Sequence, residues 1–234
     1  MRAVILAGGK GTRLRPYTIV FPKPLMPIDD EPILKVVISQ LKASGFSHIT
    51  LAVGYMADMI KTYFGKGEKI GLKIDYSHER KPLGTIGALS LVKNLPENFL
   101  VMNGDILTDL NFGDFLEYHR QHKAKATIAC FCKKVKIEYG IIVSNGANTV
   151  NGYTEKPTME YEVSMGVYAF HKSIVDFIEK ERYLDFPDLV KLLIGRNEKI
   201  VKYPFAGYWM DIGCHADYEK ACEDFAGLKK RLLG

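Results

Sequence analysis

The first stretch of the chain that could do chemistry is a glycine-rich loop, in the sequence "MRAVILAGGKGTRLRPYT". Ala3–Ala7 is an apolar run that predicts a short strand buried on both faces. The glycines at positions 8, 9 and 11 let another molecule approach the backbone closely, and Arg13 and Arg15 add fixed positive charge beside them. A strand, a glycine loop and arginines together predict a phosphate-binding site. The spacing matches neither the P-loop nor the dinucleotide-binding motif, so an ordinary tight turn is the alternative.

Two carboxylates lie in contexts that suit a divalent cation. Asp105 closes an apolar strand in "VMNGD", and Asp211 stands among aromatic residues and glycines in "GYWMDIG". Mg²⁺ usually takes one or two protein carboxylates, while waters and substrate phosphates complete its octahedron. We therefore predict a Mg²⁺ site at Asp105 and Asp211. The alternative for Asp105 is a cap on the following turn.

Two lysines are presented beside prolines. Prolines on both sides of Lys23, in "FPKPLMPI", stiffen the backbone and suit a lysine aimed at a phosphate. Lys156 follows Glu155 in "TEKP". Because neighbours on a strand point to opposite faces, the chain must bend there if both serve one ligand. An exposed Glu-Lys pair at a turn is the alternative.

Glu79–Gly87, in "ERKPLGTIG", is a turn marked by proline and glycine that enters a predicted helix. It is a candidate for contacting the edge of a nucleobase, or it connects a strand to a helix and does nothing more. The six histidines show no metal-ligand spacing. Trp209 belongs to a residue type that is more often part of a core than of a ligand-binding wall.

Composition and charge narrow the function classes. The chain has 234 residues, 47% of them hydrophobic, and a formal charge of +5, which suits an anionic small molecule. No basic block interleaved with aromatic residues predicts a nucleic-acid partner. The four cysteines form no C-x-x-C pair and suit reduced thiols. The first strand leaves no room for a signal peptide, and no apolar run has membrane-spanning length, so we expect a cytoplasmic protein without membrane contact.

The elements that must position these residues alternate in the first half of the chain. Helices are predicted in "EPILKVVISQLKASG", "MADMIKTYFG" and "TIGALSLVKNL", and strands in "HITLAVG", "LKIDYS" and "NFLVMNGD". This alternation predicts an α/β fold with a mixed, mostly parallel sheet between two helical layers. Ligands of such sheets bind beyond the carboxyl ends of the strands, which would gather the glycine loop, Asp105 and the "PLGT" turn along one rim.

The second half is richer in strands, predicted at "KATIACF", "YGIIVSNG", "TVNGYTEK", "EVSMGVYAFH" and "EKIVKYPF". Helices are predicted at about Ser173–Lys180, at Phe186–Gly195 and in the closing "HADYEKACEDFAGLKKRLL". We find no repeat and no linker. We therefore expect one domain over residues 1–234, with a nucleotide-binding half at about 1–110 and a substrate-binding half at about 111–234.

These stretches together resemble the sugar-1-phosphate nucleotidylyltransferases, closest to those that transfer guanylyl groups to mannose or heptose 1-phosphate. The resemblance covers nearly the whole chain, in the order "LAGGKGTRLRPYT", "PKPLMPI", "PLGTIGAL", "NGD", "TEKP", "MGVYAF" and "WMDIG". It implies a single-domain, Rossmann-like three-layer sandwich of the glycosyltransferase-A type.

The resemblance also implies roles for particular residues. Those expected to bind the nucleoside triphosphate are Leu6, Ala7, Gly8, Gly9, Gly11, Thr12, Arg13, Glu79, Pro82, Leu83, Gly84 and Thr85. Those expected to contact the sugar phosphate are Asn103, Gly140, Glu155, Lys156, Gly166 and Trp209. Arg13, Lys23, Asp105 and Lys156 are implied as catalytic residues, and Asp105 and Asp211 as the Mg²⁺ pair.

The implied reaction is an in-line attack of a sugar 1-phosphate on the α-phosphate of the triphosphate, with release of pyrophosphate. The nucleophile is already an anion, so no general base is required. The "E-x-x-P-L-G-T" turn favours GTP, while CTP, UTP, ATP and dTTP stay open. The sugar is expected in the mannose, heptose or glucose class, and a homodimer is possible.

Two residues depart from the family pattern: Cys214 stands where threonine is common, and Ser164 stands where asparagine is common, which bears on the sugar contacts. The chain also ends without a β-helix or acetyltransferase extension, from which we expect no bifunctional enzyme. A catalytically silent, nucleotide-sugar-binding regulatory subunit is the alternative from another class. A nicotinamide oxidoreductase is disfavoured, because the glycine spacing is wrong and the second strand ends in Val53 and Gly54 without an acidic residue.

Overall fold

The protein is described by a computed structural model that covers residues 1–146 and 148–233. Its strands are β1 (Arg2–Ala7), β2 (Pro27–Ile28), β3 (Glu31–Pro32), β4 (His48–Val53), β5 (Lys73–His78), β6 (Asn98–Asn103), β7 (Ile106–Thr108), β8 (Ala126–Lys136), β9 (Ile141–Ser144), β10 (Val150–Thr154), β11 (Thr158–His171), β12 (Ile200–Phe205) and β13 (Trp209–Asp211). Its helices are α1 (Tyr17–Val20), α2 (Ile33–Ala43), α3 (Ala57–Phe64), α4 (Gly84–Gly87), α5 (Phe112–His122), α6 (Phe186–Gly195) and α7 (His215–Leu233).

A seven-stranded sheet in the order β12-β8-β11-β6-β1-β4-β5 forms the centre of the fold. In this sheet β11 is antiparallel to both of its neighbours, β6 and β8, and the other strands share one direction. The sheet is therefore mixed and mostly parallel, which confirms the predicted fold class. No helix of the described residues is long and apolar enough to cross a membrane.

Helices cover both faces of the sheet because β1 and its neighbours are apolar on both sides. Ala3, Ile5 and Ala7 pack into one cluster with side chains of α2, α3 and α5. Val4 points the other way, into a second cluster with α4 and α6. A third cluster packs Phe225 of α7 against α2 and β7. The sheet thus lies between two helical layers, and the carboxyl ends of its parallel strands lie along one edge.

Two predicted helices are shorter than the sequence pattern indicates. In "TIGALSLVKNL", α4 passes into a 3₁₀ segment at Ala88–Leu91, because the Ser90 hydroxyl donates to the Gly87 carbonyl and the backbone turns toward β6. The helix predicted near residues 173–180 is a 3₁₀ helix at Lys172–Phe177, and the chain is extended again at Ile178, a buried residue of the second cluster. The helix predicted at Phe186–Gly195 is confirmed with those bounds.

Part of the second half projects from the carboxyl end of the sheet. Met102, near the end of β6, pairs with Val167, but the pairing of β11 with β8 continues as far as Thr158 opposite Lys136. The β9–β10 hairpin lies between these extensions. We call residues 131–146 and 148–164 the arm.

Candidate active site

A cleft of about 960 Å³ opens at the carboxyl ends of β1, β4, β5 and β6. This is the edge at which ligands of parallel sheets bind. Every residue that the sequence predicted for nucleotide binding lines this cleft: Leu6, Ala7, Gly8, Gly9, Gly11, Thr12, Arg13, Glu79, Pro82, Leu83, Gly84 and Thr85. Lys23, Asn103 and Asp105 line it as well. The structure therefore brings together residues that are far apart in the sequence.

The glycine loop after β1 is held by contacts that need its small residues. Gly11 adopts a left-handed φ of 59°, and its carbonyl accepts hydrogen bonds from the Leu14 N–H at 2.9 Å and the Thr18 hydroxyl at 2.8 Å. A Cβ on Gly8 would lie 2.0 Å from Oε1 of Glu79, whereas a Cβ on Gly9 would meet nothing within 4 Å. Glycine is therefore needed at position 8 because Glu79 packs against it, whereas Gly9 leaves its backbone open toward the cleft.

Glu79 lies at the end of β5 with its carboxylate against the glycine loop. Oε2 accepts a hydrogen bond from the Leu83 N–H at 3.1 Å, which fixes the side chain at the start of the "PLGT" turn. Burial raises the pKa of Glu79, opposed by that hydrogen bond and by the charge of His78. The result is an oriented carboxylate, with Oε1 packed against Gly8 and Gly54.

Helix α4 begins in this wall of the cleft and is anchored from the other half of the chain. Asp185 Oδ1 accepts from the Thr85 N–H at 3.0 Å, and the Thr85 hydroxyl accepts from the Phe186 N–H at 2.8 Å. Gly84 has φ 76°, and a Cβ there would lie 2.7 Å from the Leu184 carbonyl oxygen. The "PLGT" turn is thus built to fit closely against the segment that precedes α6.

Charged side chains gather at the end of the cleft nearest β6. Lys23 forms an ion pair with Oδ2 of Asp105. The guanidinium of Arg13 lies beside Gly213, where a Cβ would be 3.2 Å from Nη1. Asp211 is open to solvent on one side, yet partial burial and the charge of Asp105 raise its pKa, and the charges of Lys23 and Arg13 oppose that effect. These residues therefore interact electrostatically as one group.

The donor set in this group fits Mg²⁺. Oδ1 of Asp105 is buried and has no hydrogen-bond partner among the described residues. A buried carboxylate oxygen without a donor is costly, and a cation would satisfy it. Asp211 is held nearby because β13 pairs with β7, which follows Asp105 directly. Among the described residues no cluster of three or more His, Cys, Asp or Glu side chains could hold a metal, so a cation here would depend on one or two carboxylates.

The residues predicted for the sugar phosphate fall into two places. Asn103 lines the cleft, and Gly166 adjoins it, since a Cβ on Gly166 would lie 2.8 Å from Nδ2 of Asn103. Trp209 donates from Nε1 to the Met165 carbonyl at 3.0 Å and packs on the first apolar cluster. These residues border the charged group.

Gly140, Glu155 and Lys156 lie on the arm, outside the residues that line the cleft. A Cβ on Gly140 would lie 2.0 Å from the Tyr153 hydroxyl oxygen, and that hydroxyl donates to Oε2 of Glu155 at 2.7 Å. Lys156 has a left-handed φ of 41°, which supplies the bend that a shared ligand would require. The roles of these three residues stay predictions.

The sequence matches the family model described as nucleotidyl transferase over residues 2–227. The chain belongs to this family. Among curated relatives, this nucleotidyl transferase is 33% identical over 226 residues to mannose-1-phosphate guanyltransferase beta-B of Xenopus laevis, which covers 93% of the chain. It is likewise 33% identical over 230 residues to mannose-1-phosphate guanylyltransferase of Mycobacterium tuberculosis, with 95% of the chain covered. The chain spans 62% and 64% of the lengths of these relatives.

A solved structure of similar fold is HddC from Yersinia pseudotuberculosis. It is 29% identical to this nucleotidyl transferase, with a TM-score of 0.75 over 96% of the chain and 99% of HddC. A second HddC structure, complexed with GMP-PN, has a TM-score of 0.72 and 28% identity with the same coverage. Both likenesses extend over nearly the whole chain.

Several cleft residues of this nucleotidyl transferase were not found from sequence. Tyr183 and Asp185 line the cleft and contact each other, and Tyr55 lines it between the glycine loop and β4. They lie outside the motifs, and only the tertiary fold brings them to the rim.

The two residues that depart from the family pattern have different surroundings. Cys214 donates its backbone N–H to Asp217 Oδ2 at 3.0 Å, a contact that does not depend on its side chain. Ser164 lies at a register shift of β11 beside the cleft wall.

Proposed function

We propose that this chain transfers a nucleotidyl group from a nucleoside triphosphate, GTP by preference, to a sugar 1-phosphate of the mannose, heptose or glucose class. The products are an NDP-sugar and pyrophosphate. The observation that carries the proposal is the single cleft in which the glycine loop, an oriented Glu79 and the charged group of Lys23, Arg13 and Asp105 converge. The names of the guanylyltransferase relatives support the same reaction.

The preference for GTP follows from the chemistry of Glu79. An ionised carboxylate only accepts hydrogen bonds, and guanine presents two adjacent donors, N1–H and the N2 amino group. Adenine and cytosine offer one donor beside an acceptor nitrogen, and uracil and thymine flank their single N–H with carbonyls that would repel the carboxylate. The HddC structure that contains GMP-PN is consistent with a guanine nucleotide in this fold.

The chain's cations suit the phosphates. Backbone N–H groups of the glycine loop and the Arg13 guanidinium can bind the triphosphate, because they lie at the end of β1 with no Cβ in the way at Gly9. Lys23, fixed between prolines and paired with Asp105, can bind the α-phosphate on which negative charge develops. Holding both substrates in line supplies much of the rate, since the attacking oxygen is already anionic.

Asp105 and Asp211 are the residues that would hold Mg²⁺. When bound there, the cation would neutralise phosphate charge and act as a Lewis acid on the phosphoryl oxygens. The chain's own contribution is to keep the two carboxylates adjacent through the β7–β13 pairing and to orient Asp105 through Lys23.

We assign the sugar phosphate to the second half of the chain, at about 111–234, with the triphosphate in the half at about 1–110. The arm projects from the same end of the sheet as the cleft, because β8 continues past the end of β6 in the same direction. Glu155 and Gly140 would contact the sugar, and Lys156 its phosphate. A homodimer and a cytoplasmic location remain predictions.

Pyrophosphate release in the presence of Mg²⁺ tests the proposal. The four common ribonucleoside triphosphates and dTTP are each combined with a panel of hexose and heptose 1-phosphates. We expect one strong pair, GTP with a manno- or gluco-configured sugar 1-phosphate. A strong preference for another triphosphate would contradict the assignment of Glu79. No release from any pair, with nucleotide sugars still raising the Tm, would replace the enzyme with a regulatory binding protein.

Lys156→Ala tests the assignment of the sugar phosphate to the arm. Removing a charged contact to the sugar phosphate should raise the KM for that substrate by about tenfold or more, with the KM for the triphosphate little changed. Lys134→Ala, on the arm and paired with Glu160, is the matched control and should leave both constants unchanged. A rise in the triphosphate KM alone would show that Lys156 serves the other substrate.

A further inference from the structure

A second cavity, of about 760 Å³, lies at the amino ends of the parallel strands, opposite the cleft. Its wall includes Arg2 at the start of β1, His48 at the start of β4, Lys73 at the start of β5 and Asn98 at the start of β6. We call it the amino-end groove. Its volume lies in the range of pockets that hold small organic ligands.

The amino-end groove is strongly basic. Arg2, Lys73, Lys93 and Arg120 line it, and Asp75 is the carboxylate among the residues of its lining. Lys93 is exposed and forms no ion pair among the described residues. A concave surface with an excess of fixed positive charge concentrates anions. The charge of this groove therefore indicates an anionic ligand.

Asp75 neutralises only part of this charge, because it pairs with His48 and Lys73 and leaves Arg2 and Lys93 without a carboxylate partner among the described residues. Its Oδ2 lies 2.6 Å from Nε2 of His48 and 3.5 Å from Nζ of Lys73. Arg2, which is 8% exposed, makes its hydrogen bonds to neutral oxygens instead.

Those neutral partners of Arg2 are the Thr50 hydroxyl, at 2.7 Å from Nη2 and 3.1 Å from Nε, and the carbonyls of Lys93 and Asn94, at 2.9 and 2.6 Å from Nη1. Burial lowers the pKa of Arg2 and the charge of Asp75 opposes that effect, so an anion bound beside the guanidinium would offset the remaining cost of burial. One N–H of Nη2 stays available for such an anion, since a guanidinium has five donors.

Ser77 provides an independent sign of a ligand. It is 7% exposed, lines the groove, and shares a face of β5 with Lys73 and Asp75. Its hydroxyl is buried and has no hydrogen-bond partner among residues 1–146 and 148–233. Buried hydroxyls are normally satisfied, so an unsatisfied one in a cavity wall points to a polar group that the protein does not supply.

We propose that the amino-end groove binds a phosphorylated small molecule, with its phosphate held by Arg2 and the flanking lysines and another polar group bonded to Ser77. This site is separate from the cleft: the 3₁₀ segment at Ala88–Leu91 lies between them, with Ala88 in the cleft wall and Leu91 in the groove wall. The proposal does not depend on the reaction assigned to the cleft.

Residue-resolved NMR of the full chain can separate the two sites. Inorganic phosphate, glucose 6-phosphate and GMP are titrated in turn, and the amide shifts of His48 and Thr50 report on the groove. Those of Gly9 and Gly11 report on the cleft. We expect saturable shifts at His48 and Thr50, with at least one organic phosphate binding tighter than inorganic phosphate. The amides of 88–91 and of Ser77, which pairs with Ala52 of the cleft wall, border both sites and are left out of the readout.

The double variant Lys73→Ala/Lys93→Ala should weaken binding at the groove reporters by about tenfold or more and leave the cleft reporters unchanged. Both lysines are exposed, so the fold should tolerate the change. If the double variant fails to fold, the single variant Lys93→Ala is measured instead. Lys191→Ala, on the exposed face of α6, is the control and should change neither site.

Ser77→Ala should weaken the binding of the organic phosphate more than the binding of inorganic phosphate. Absence of saturable shifts at His48 and Thr50 with every probe would overturn the proposal, and Arg2 would then only hold the backbone at residues 93 and 94. Equal affinity for inorganic phosphate and all organic phosphates would overturn the part that assigns a polar contact to Ser77.

Discussion

Gly8→Ala is the sharpest test of how the cleft is built. The new Cβ would lie 2.0 Å from Oε1 of Glu79, and Cβ atoms in proteins essentially never approach closer than 3.0 Å. The carboxylate must therefore shift by about 1 Å or more, since it is the mobile partner in this contact. The backbone of Gly8 does not have a positive φ, so alanine itself is not strained there. The substitution thus acts on Glu79 and leaves the loop conformation in place.

The magnitude follows from the size of that shift. A displacement of about 1 Å of a group that positions substrate can cost roughly a hundredfold in rate, which is about 2.7 kcal/mol. We expect Gly8→Ala to lower kcat/KM for GTP by about that factor and to reduce the discrimination between GTP and the other triphosphates. The Tm should change little, because a glutamate side chain can rotate at a cost of about 1 kcal/mol.

Matched variants show whether the effect passes through Glu79. Gly9→Ala adds the same atom one residue later, where nothing lies within 4 Å, so it should not change base discrimination. Glu79→Gln keeps the shape and removes the charge. In the double variant Gly8→Ala/Glu79→Gln, the losses in kcat/KM for GTP should be far from additive, because both changes remove the same contact of Glu79. Additive losses, or equal effects of Gly8→Ala and Gly9→Ala on base discrimination, would refute the reasoning.

Three further predictions concern the charged group, a turn and the core. Asp105→Asn should lower Mg²⁺-dependent turnover by about a hundredfold or more with the fold intact by circular dichroism; near-normal turnover would remove Asp105 from the metal site. Gly84→Ala should lower the free energy of unfolding by about 2 kcal/mol in urea, because φ is positive and the Cβ would meet the Leu184 carbonyl, whereas Gly227→Ala, with open space, should not destabilise the protein. Burial, with smaller effects from neighbouring charges, lowers the pKa of His119 to about 4, so the unfolded state binds the extra proton and stability should fall by about 3 kcal/mol from pH 6.5 to pH 4. The His119→Gln variant should show a flatter profile over that range, and an unchanged slope would contradict the assignment.

The parts of the site that could be predicted from sequence are those encoded locally. The glycine loop, Glu79 and Asp105 each follow a short strand, and the rule that parallel strands share a carboxyl edge was sufficient to bring them together. Asp185 could not be predicted, because its contact with Thr85 joins residues 100 positions apart. No periodicity in either segment encodes that pairing.

The helix predicted after the "PLGT" turn was too long for a related reason. Its apolar spacing fits a helix, yet the N–H groups of Ile86 and Gly87 donate to the carbonyl of Leu184, a partner outside the helix. Ser90 then bonds to the Gly87 carbonyl and favours the tighter 3₁₀ turn. Tertiary contacts thus decided where the helix ended, which sequence propensity does not capture.

The charges at the phosphate end of the cleft set a requirement for the proposed reaction. At the phosphate end, the positive charges of Arg13 and Lys23 face the negative charges of Asp105 and Asp211, so this group has little net charge before substrates arrive. A triphosphate and a sugar phosphate bring several negative charges, and placing them in contact at low dielectric is costly without added cations. Lys156, on an arm that projects from the same end of the sheet, is exposed and within 3.9 Å of Glu155, a weak exposed pair that a phosphate could replace. The proposed reaction therefore needs further positive charge, which a divalent cation at the two carboxylates and the arm lysine would supply.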